Sequence, residues 1–450
     1  MNTQVNVRAV ILDILLEIYE KEQYTHLVLN EALSKYQYLQ GMERSFISRT
    51  VLGTVERTIT LDYIIDSFSK TKVNKMKPLI RTLLRMSTYQ LVYMEGVKDF
   101  AVCNEAVKLA MKRGFVSLKG FVNGVLRTIA REKNNLSFPS GEDVVKNLSI
   151  KYSTPEWIVK KWIDAYSYEE TLKILEAQYA GRPLTIRCNT TLTTPEALAK
   201  SLAERGIEVN NDTIFPEALE ISGYDYLDKI PEFRNGMFSV QDISSMLVCH
   251  IANPAKDAYV IDVCAAPGGK SLHIAEMLGN TGMVDSRDVS EYKVGLINEN
   301  INRLGLKNIK TSVRDALCKD SYSVEKADVV IADLPCSGLG IFNKKPDIKY
   351  NASEEGCREL AGLQRDILSV CAEYVKKGGT LIYSTCTLNP EENMCNAKWF
   401  AENFSFEPKD ITDRIPDILK DRIIDKGCIE IHPYSEYNFD GFFIAAFERK

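Results

Sequence analysis

Tyr259-Val260-Ile261-Asp262-Val263-Cys264-Ala265-Ala266-Pro267-Gly268-Gly269-Lys270 is the stretch on which the reading of this chain turns. An apolar run ends at an aspartate and passes, through two alanines, a proline and two glycines, into a segment patterned as a helix. Glycines at such a turn let the backbone approach a ligand closely, and open α/β sheets hold their ligands just beyond the carboxyl ends of their strands. Working outward, the apolar runs Val260–Val263, Met283–Arg287, Ile309–Val313, Asp328–Ala332 and Thr380–Ser384 alternate with amphipathic segments. That alternation predicts an α/β domain with a mostly parallel sheet and helices on both faces. Ser290 and Gly305 mark the start and stop of the helix that carries Val294, Ile297, Ile301 and Leu304. Cys428–Ile431 and Phe442–Phe447 read as two more strands, which are expected to close the sheet antiparallel.

Acidic residues recur at the same end of these runs. Asp262 closes the first, Asp288 follows the second, Asp315 is expected to end the third and Asp333 the fourth. Asp288 is suitably placed for a carboxylate to take the ribose hydroxyls of an adenosyl group. An acidic rim suits a cationic sulfonium cofactor better than a polyphosphate. The G-x-G-x-x-G spacing of a nicotinamide dehydrogenase is absent. A tight turn with helix-capping aspartates is the plain alternative, and it weakens once four such aspartates fall in register.

Eleven cysteines are scattered without Cys-x-x-Cys or Cys/His ligand spacing, which predicts free thiols, a reducing compartment and no metal. Cys249, Cys371 and Cys395 read as small apolar fillers. Cys336, in Asp333-Leu334-Pro335-Cys336-Ser337-Gly338, and Cys386, in Ser384-Thr385-Cys386-Thr387, instead follow strands and should open onto the ligand crevice. Two such thiols suit methylation at carbon 5 of cytosine. That carbon is too poor a nucleophile to take a methyl group until a soft nucleophile has added to carbon 6. A thiolate at Cys386 supplies the addition, Asp333 an acidic or hydrogen-bonding group at N3, and Cys336 a base for the carbon 5 proton.

The net charge of −5 argues against binding nucleic acid by charge alone, but the charge is uneven. Residues 1–150 hold 21 Lys and Arg against 15 Asp and Glu, so phosphate contacts are expected in the first third. There, Val7, Val10, Ile11, Ile14, Leu15 and Ile18 recur on one helical face, and further helical segments cover Leu61–Phe68, Leu79–Tyr93, Val102–Ala110 and Gly120–Ile129. Arg131–Asp143 is the expected linker. From about 150 to 245 the pattern changes to a helix, a strand at Leu184–Cys188, a helix opened by Thr194-Pro195, and short strands near Ile207 and Leu219. No membrane-length apolar run or secretory leader is present, so a soluble cytoplasmic protein is expected.

Cys264–Lys270, Asp333–Gly338 with Lys345-Pro346-Asp347, Ser384-Thr385-Cys386 with Pro390-Glu391-Glu392-Asn393, and Asp440-Gly441-Phe442-Phe443 together resemble the motif set of RNA cytosine-C5 methyltransferases. Leu61-Asp62-Tyr63, Leu83-Leu84-Arg85, Tyr89-Gln90-Leu91, Asn104-Glu105-Ala106-Val107 and Gly120-Phe121-Val122-Asn123 resemble the NusB-like helical domain fused to the bacterial RsmB/Sun type. The resemblance implies three domains: a NusB-like RNA-binding domain over 1–138, a small ferredoxin-like α+β module over 145–245, and a Rossmann-like, S-adenosylmethionine-dependent class I methyltransferase domain over 246–450. It implies a 16S ribosomal RNA substrate with an unstacked cytosine in a loop, no membrane partner and a monomer. Cys386 would be the nucleophile and Cys336 the assisting cysteine. Cofactor contacts would come from Cys264, Ala265, Ala266, Pro267, Gly268, Gly269, Lys270, Asp288, Asp315 and Asp333, with Asp333 shared between cofactor and cytosine. Leu334, where the family more often has alanine, and Phe342-Asn343, in place of more basic residues, depart from the pattern and put RNA contacts near that loop in doubt. Two alternatives are a DNA cytosine methyltransferase, which would use Cys336 as nucleophile, and a binding protein whose helical domain acts as an adaptor.

Overall fold

A computed structural model describes residues 5–433 and 438–450. The described chain forms two compact units, one reaching to Leu175 and including Phe342–Asn351, the other comprising Glu176–Ile341 and Ala352–Lys450.

The first unit is helical. Its first helix, Val7–Glu20, is capped by the Asn6 side chain, which accepts from the Ala9 amide, and it buries Val10, Ile11, Ile14, Leu15 and Ile18. The helix Pro78–Tyr93 opens with proline at its first position, where no amide donor is needed, and is buried over most of its surface. Helices Thr58–Phe68, Asp99–Lys112 and Lys119–Glu132 cover the expected segments. Where the sequence predicts one helix from about 150, the chain forms two, Glu156–Tyr166 and Tyr168–Ala177, preceded by a third, Val144–Tyr152, that straddles that position. Positive φ angles at Ser153 and Ser167 break them apart.

Phe342–Asn351 is built into this helical unit. The Asp347 carboxylate accepts from the amide of Thr25, the first residue of helix Thr25–Lys35, at 3.0 Å. The Tyr350 hydroxyl donates to the Glu56 carbonyl at 2.8 Å, and the Phe342 ring is buried against Trp162, 5.6 Å between centroids. An aromatic residue at 342 is therefore core, which gives the departure from a basic residue a packing reason. Burial pulls the Lys349 ammonium down to about 7, against the opposing pull of Glu56.

In the second unit, a four-stranded antiparallel sheet has the order β2-β3-β1-β4, with β1 Leu184–Cys188, β2 Glu208–Asn210, β3 Ala218–Ser222 and β4 Phe238–Val240. The fourth strand is not among the sequence expectations. The helix Pro195–Glu204 is opened by Thr194, whose side chain accepts from the Ala197 amide.

The larger sheet has nine strands: β5 Tyr259–Asp262, β6 Met283–Asp288, β7 Ile309–Val313, β8 Ala327–Asp333, β9 Val375–Thr385, β10 Phe406–Pro408, β11 Ile423–Asp425, β12 Cys428–Ile431 and β13 Phe442–Arg449. Its order is β11-β12-β13-β9-β8-β5-β6-β7, with β10 beside β13. Strands β5 to β9 are mutually parallel. The two late strands close the sheet through antiparallel pairing, as the sequence predicts: β13 runs antiparallel to both β9 and β12, which returns β12 to the direction of the first five.

Why these runs lack a polar face is visible in the packing. Val260, Val329, Ile331 and Ile382 join a core with Leu272 and Ile274 of helix Gly269–Met277. Their neighbours Ile261, Val330, Leu381 and Tyr383 join another with Ile367, Leu368 and Cys371 of helix Glu354–Tyr374. Successive strand residues point to opposite faces, so a sheet covered on both sides needs apolar side chains at both parities. Each such buried aliphatic side chain contributes about 1.5–3 kcal/mol. Ser290 and Gly305 cap the helix Glu291–Leu304 as the sequence predicts, Gly305 with a φ of 71°.

Candidate active site

The switch of strand order falls between β5 and β8, and the motifs gather at the carboxyl ends of β5, β6, β8 and β9. After β5 the chain turns at Gly268, whose φ of 108° disfavours any side chain. A Cβ there would lie 3.2 Å from Leu272 and 3.3 Å from Ile297, whereas one at Gly269 would meet nothing within 4 Å. The turn is therefore packed on its inner side and open at the start of the helix.

Asp288, at the end of β6, braces this turn. One of its oxygens accepts from the Ala266 amide at 2.9 Å and the other from the Val289 amide at 2.8 Å. Lys293 Nζ also lies 3.2 Å from Oδ1, the oxygen that takes the Val289 amide, so a lone pair for a further donor remains on Oδ2. Asp315 is not the end of β7. It lies two residues beyond, exposed, and accepts from the Leu317 amide at 2.9 Å. Asp333, the last residue of β8, accepts from Lys270 Nζ at 2.6 Å and from Ser384 Oγ at 2.7 Å. Burial works against the Lys270 ammonium, but the Asp333 carboxylate more than offsets it and the lysine's pKa is raised. The Lys270 ammonium also lies 5.3 Å from the centre of the Phe442 ring.

Asp262 lies beneath the turn, wholly buried, accepting from Ser271 Oγ at 2.6 Å, while its second oxygen has no partner. Burial pushes its carboxyl up from 3.8 to about 7. A folded-state value above the unfolded one means that the ionised carboxylate opposes folding. Stability is therefore lost as pH rises from about 4 to 7, and the loss is complete above that. Asp262→Asn removes this penalty. Its melting temperature is expected to exceed that of the unsubstituted protein by more at pH 8 than at pH 5, with a limiting difference of about 4 kcal/mol. Melts at the two pH values check this; a difference that does not change with pH would contradict it.

The two thiols meet. Cys386 follows β9 directly and Cys336 lies three residues past β8, and their sulfur atoms are 3.2 Å apart. The loops carrying them are tied at three further points. Ser337 Oγ and Thr387 Oγ1 share a hydrogen bond of 2.7 Å, the Leu339 amide donates to Thr387 Oγ1 at 3.2 Å, and the Gly340 amide donates to the Cys386 carbonyl at 3.2 Å. Gly340 in turn abuts Gly441, leaving no room for a Cβ, so the Asp440-Gly441 ending closes over the same loop. The hydrogen bond to the Cys386 sulfur, with burial added, holds the Cys336 thiol well above the usual thiol range. Cys336 is therefore protonated at rest.

Sequence reasoning assigned no role to Glu392 or Asn393, yet this dipeptide holds both loops. Glu392, wholly buried, accepts from the Ser337 amide at 2.9 Å, from Ser337 Oγ, from Asn389 Nδ2 at 2.8 Å and from Gln364 Nε2 at 3.0 Å. The Asn393 amide accepts from Thr385 Oγ1 at 2.6 Å and donates to the Thr387 carbonyl at 2.9 Å, bracketing Cys386 from both sides. The signal available beforehand was the Pro390-Glu391-Glu392-Asn393 stretch that follows the Cys386 strand end.

Glu392→Gln turns an amide toward two of the four donors in either orientation. Each lost charge-assisted bond costs about 1.5–3 kcal/mol. The expected result is a lower melting temperature and slower turnover with unchanged cofactor affinity by calorimetry. An equal loss of cofactor binding would contradict this account of its role.

Elsewhere, Cys249 and Cys371 are buried as expected, but Cys395 is exposed at the second residue of helix Met394–Asn403 and is no core filler. Leu334 is buried beside Ala332 and Tyr383 in the sheet's core. No helix among the described residues is long and apolar enough to cross a membrane.

Comparison with known proteins gives three family matches: the 16S rRNA methyltransferase RsmB/F model over residues 249–448, the NusB family over 5–131, and the RsmF/B-like methyltransferase ferredoxin-like domain over 154–224. The chain is similar to the probable ribosomal RNA small subunit methyltransferase B of Bacillus subtilis (strain 168), with 38% identity covering 99% of each chain. It is similar to the corresponding protein of Synechocystis sp., with 33% identity covering 96% of this chain and 97% of the other. Among solved structures, that of PH0851 shares the fold with a TM-score of 0.82, 24% identity and full coverage of both chains.

Proposed function

The chain belongs to the RsmB/F family of 16S rRNA methyltransferases, and from that premise we propose that it methylates carbon 5 of one cytosine in 16S ribosomal RNA through a covalent bond between Cys386 and carbon 6. The observation that carries this reading is the 3.2 Å separation of two thiols at the ends of adjacent parallel strands, beside the Lys270–Asp333 pair.

When bound, S-adenosylmethionine would supply an electrophilic methyl group for carbon 5. An open glycine turn and a carboxylate with a free lone pair on one oxygen, set on an acidic rim, fit a cationic adenosyl donor. Cys264, Ala265, Ala266, Pro267, Gly268, Gly269 and Lys270 would line it, with Asp288 on the ribose and with Asp315 and Asp333 on the rim.

The chain's own groups do the rest. Cys386 adds as thiolate to carbon 6, and the electrons of the ring double bond pass to carbon 5, making it nucleophilic. Asp333, fixed by Lys270 and Ser384, would accept a hydrogen bond from the proton that cytosine N3 takes up from solvent as sulfur adds and returns on methyl transfer, so that the ring stays neutral in between. Once Cys386 is a thioether it no longer holds the proton on Cys336, whose thiol then ionises to solvent. Cys336 next takes the carbon 5 proton, the double bond re-forms and the carbon–sulfur bond breaks, returning Cys386 as thiolate. One proton is released per methyl transferred. Attack on carbon 6 requires an unstacked ring, so the target lies in a loop or opened segment.

Bisulfite sequencing of 16S rRNA from cells lacking the protein tests the reading. One cytosine that is protected in the parent should become convertible, and complementation should restore its protection. An unchanged pattern would overturn it.

A further inference from the structure

Two of the four histidines in the sequence meet at one carboxylate. Glu217, immediately before β3, lies with Oε1 2.7 Å from His250 Nε2 and 3.6 Å from His273 Nε2, and the three atoms all fall within 4.8 Å of one another. His250 comes from helix Ile243–Ala252 and His273 from helix Gly269–Met277. Ligands drawn from three separate elements explain why no metal spacing is legible in the sequence.

The geometry is close to what a first-row divalent ion requires. Tetrahedral zinc with bonds of about 2.0–2.1 Å holds its ligand atoms roughly 3.3 Å apart; the carboxylate–imidazole distances of 2.7 and 3.6 Å lie close to that, and the widest separation, within 4.8 Å, needs to close by at most about 1.5 Å. Side-chain exposures of 27% for His250, 15% for Glu217 and 4% for His273 leave the cluster open on one side, where an ion can enter and a water can complete its shell. The Phe215 ring stacks on His250 at 4.0 Å between centroids and fixes the imidazole plane. Arg187, the cation buried in the same region, is paired with Glu276 and so brings no net positive charge.

We propose that Glu217, His250 and His273 bind a divalent cation of the zinc class, which ties the four-stranded sheet to two helices packed on the catalytic sheet. Imidazole and carboxylate ligands suit zinc and cobalt alike, and the role is structural, independent of methyl transfer.

The test is cobalt titration of the full chain after chelator treatment. The expected result is one equivalent bound, with visible d–d bands and no near-ultraviolet thiolate charge-transfer band. His250→Asn, at the more exposed ligand, and Glu217→Gln should each weaken binding by more than about 100-fold. Circular dichroism and metal-free melts of the two variants check that they fold. Zinc should raise the melting temperature of the unsubstituted protein but not of the variants. Absence of stoichiometric binding, binding that survives both substitutions, or spectra dominated by thiolate bands would overturn the proposal.

Discussion

Cys386→Ala is expected to abolish both methyl transfer and any covalent enzyme–RNA species. Without a sulfur to add at carbon 6, carbon 5 stays an unactivated vinylic position, and none of the remaining groups supplies the missing electron density. The loss should exceed about 10⁴-fold, the scale on which removal of a covalent nucleophile acts. The side chain is only partly buried, and its loop is held by the Gly340, Thr387 and Asn393 hydrogen bonds rather than by the thiol. Folding and cofactor affinity should therefore survive. Methyl incorporation from labelled S-adenosylmethionine into unmodified 16S rRNA measures the effect; residual turnover within tenfold of the parent would contradict the assignment.

Cys336→Ala should behave differently. Addition by Cys386 and methyl transfer need only the first thiol, so a covalent complex should still form. Without Cys336 the carbon 5 proton has no nearby base, the carbon–sulfur bond cannot break, and the methylated RNA stays attached. Loss of a general base slows a reaction by about 10²–10⁴-fold. Steady-state turnover should fall by that amount, while a denaturant-resistant protein–RNA band accumulates in proportion to enzyme. A variant that neither turns over nor accumulates adduct would give Cys336 an earlier role than proton removal.

The sheet was legible because its strands are covered on both faces. Val260, Ile261, Val329, Val330, Ile382 and Tyr383 leave no polar parity, so their runs stand out against the amphipathic helices between them. The start of β9 was not legible. The structure extends it back to Val375 through Lys376-Lys377-Gly378-Gly379, a stretch with neither β-branched nor apolar character, and the pairing with β8 shifts register there. Strand β4 spans three residues and carries no period to detect.

For the site, the glycine turn and the two cysteines were readable because each motif is continuous along the chain. Its supports were not, because their partners are distant in sequence. Lys270 reaches Asp333 across 63 residues, and Ser337 reaches Glu392 across 55. Phe342 shows the same limit in the other direction: a residue weighed for RNA contact proves to be core of the helical unit, a placement that only the fold reveals.

Trapping with RNA that carries 5-fluorocytosine at the target addresses the central claim most directly. Fluorine cannot leave carbon 5 as a proton does, so after addition and methyl transfer the complex is arrested, and peptide mass spectrometry locates the attached sulfur. The modified nucleotide should be found on the peptide containing Cys386, and only when S-adenosylmethionine is present. Attachment at Cys336, or arrest of no complex at all while ordinary RNA is methylated, would contradict the account.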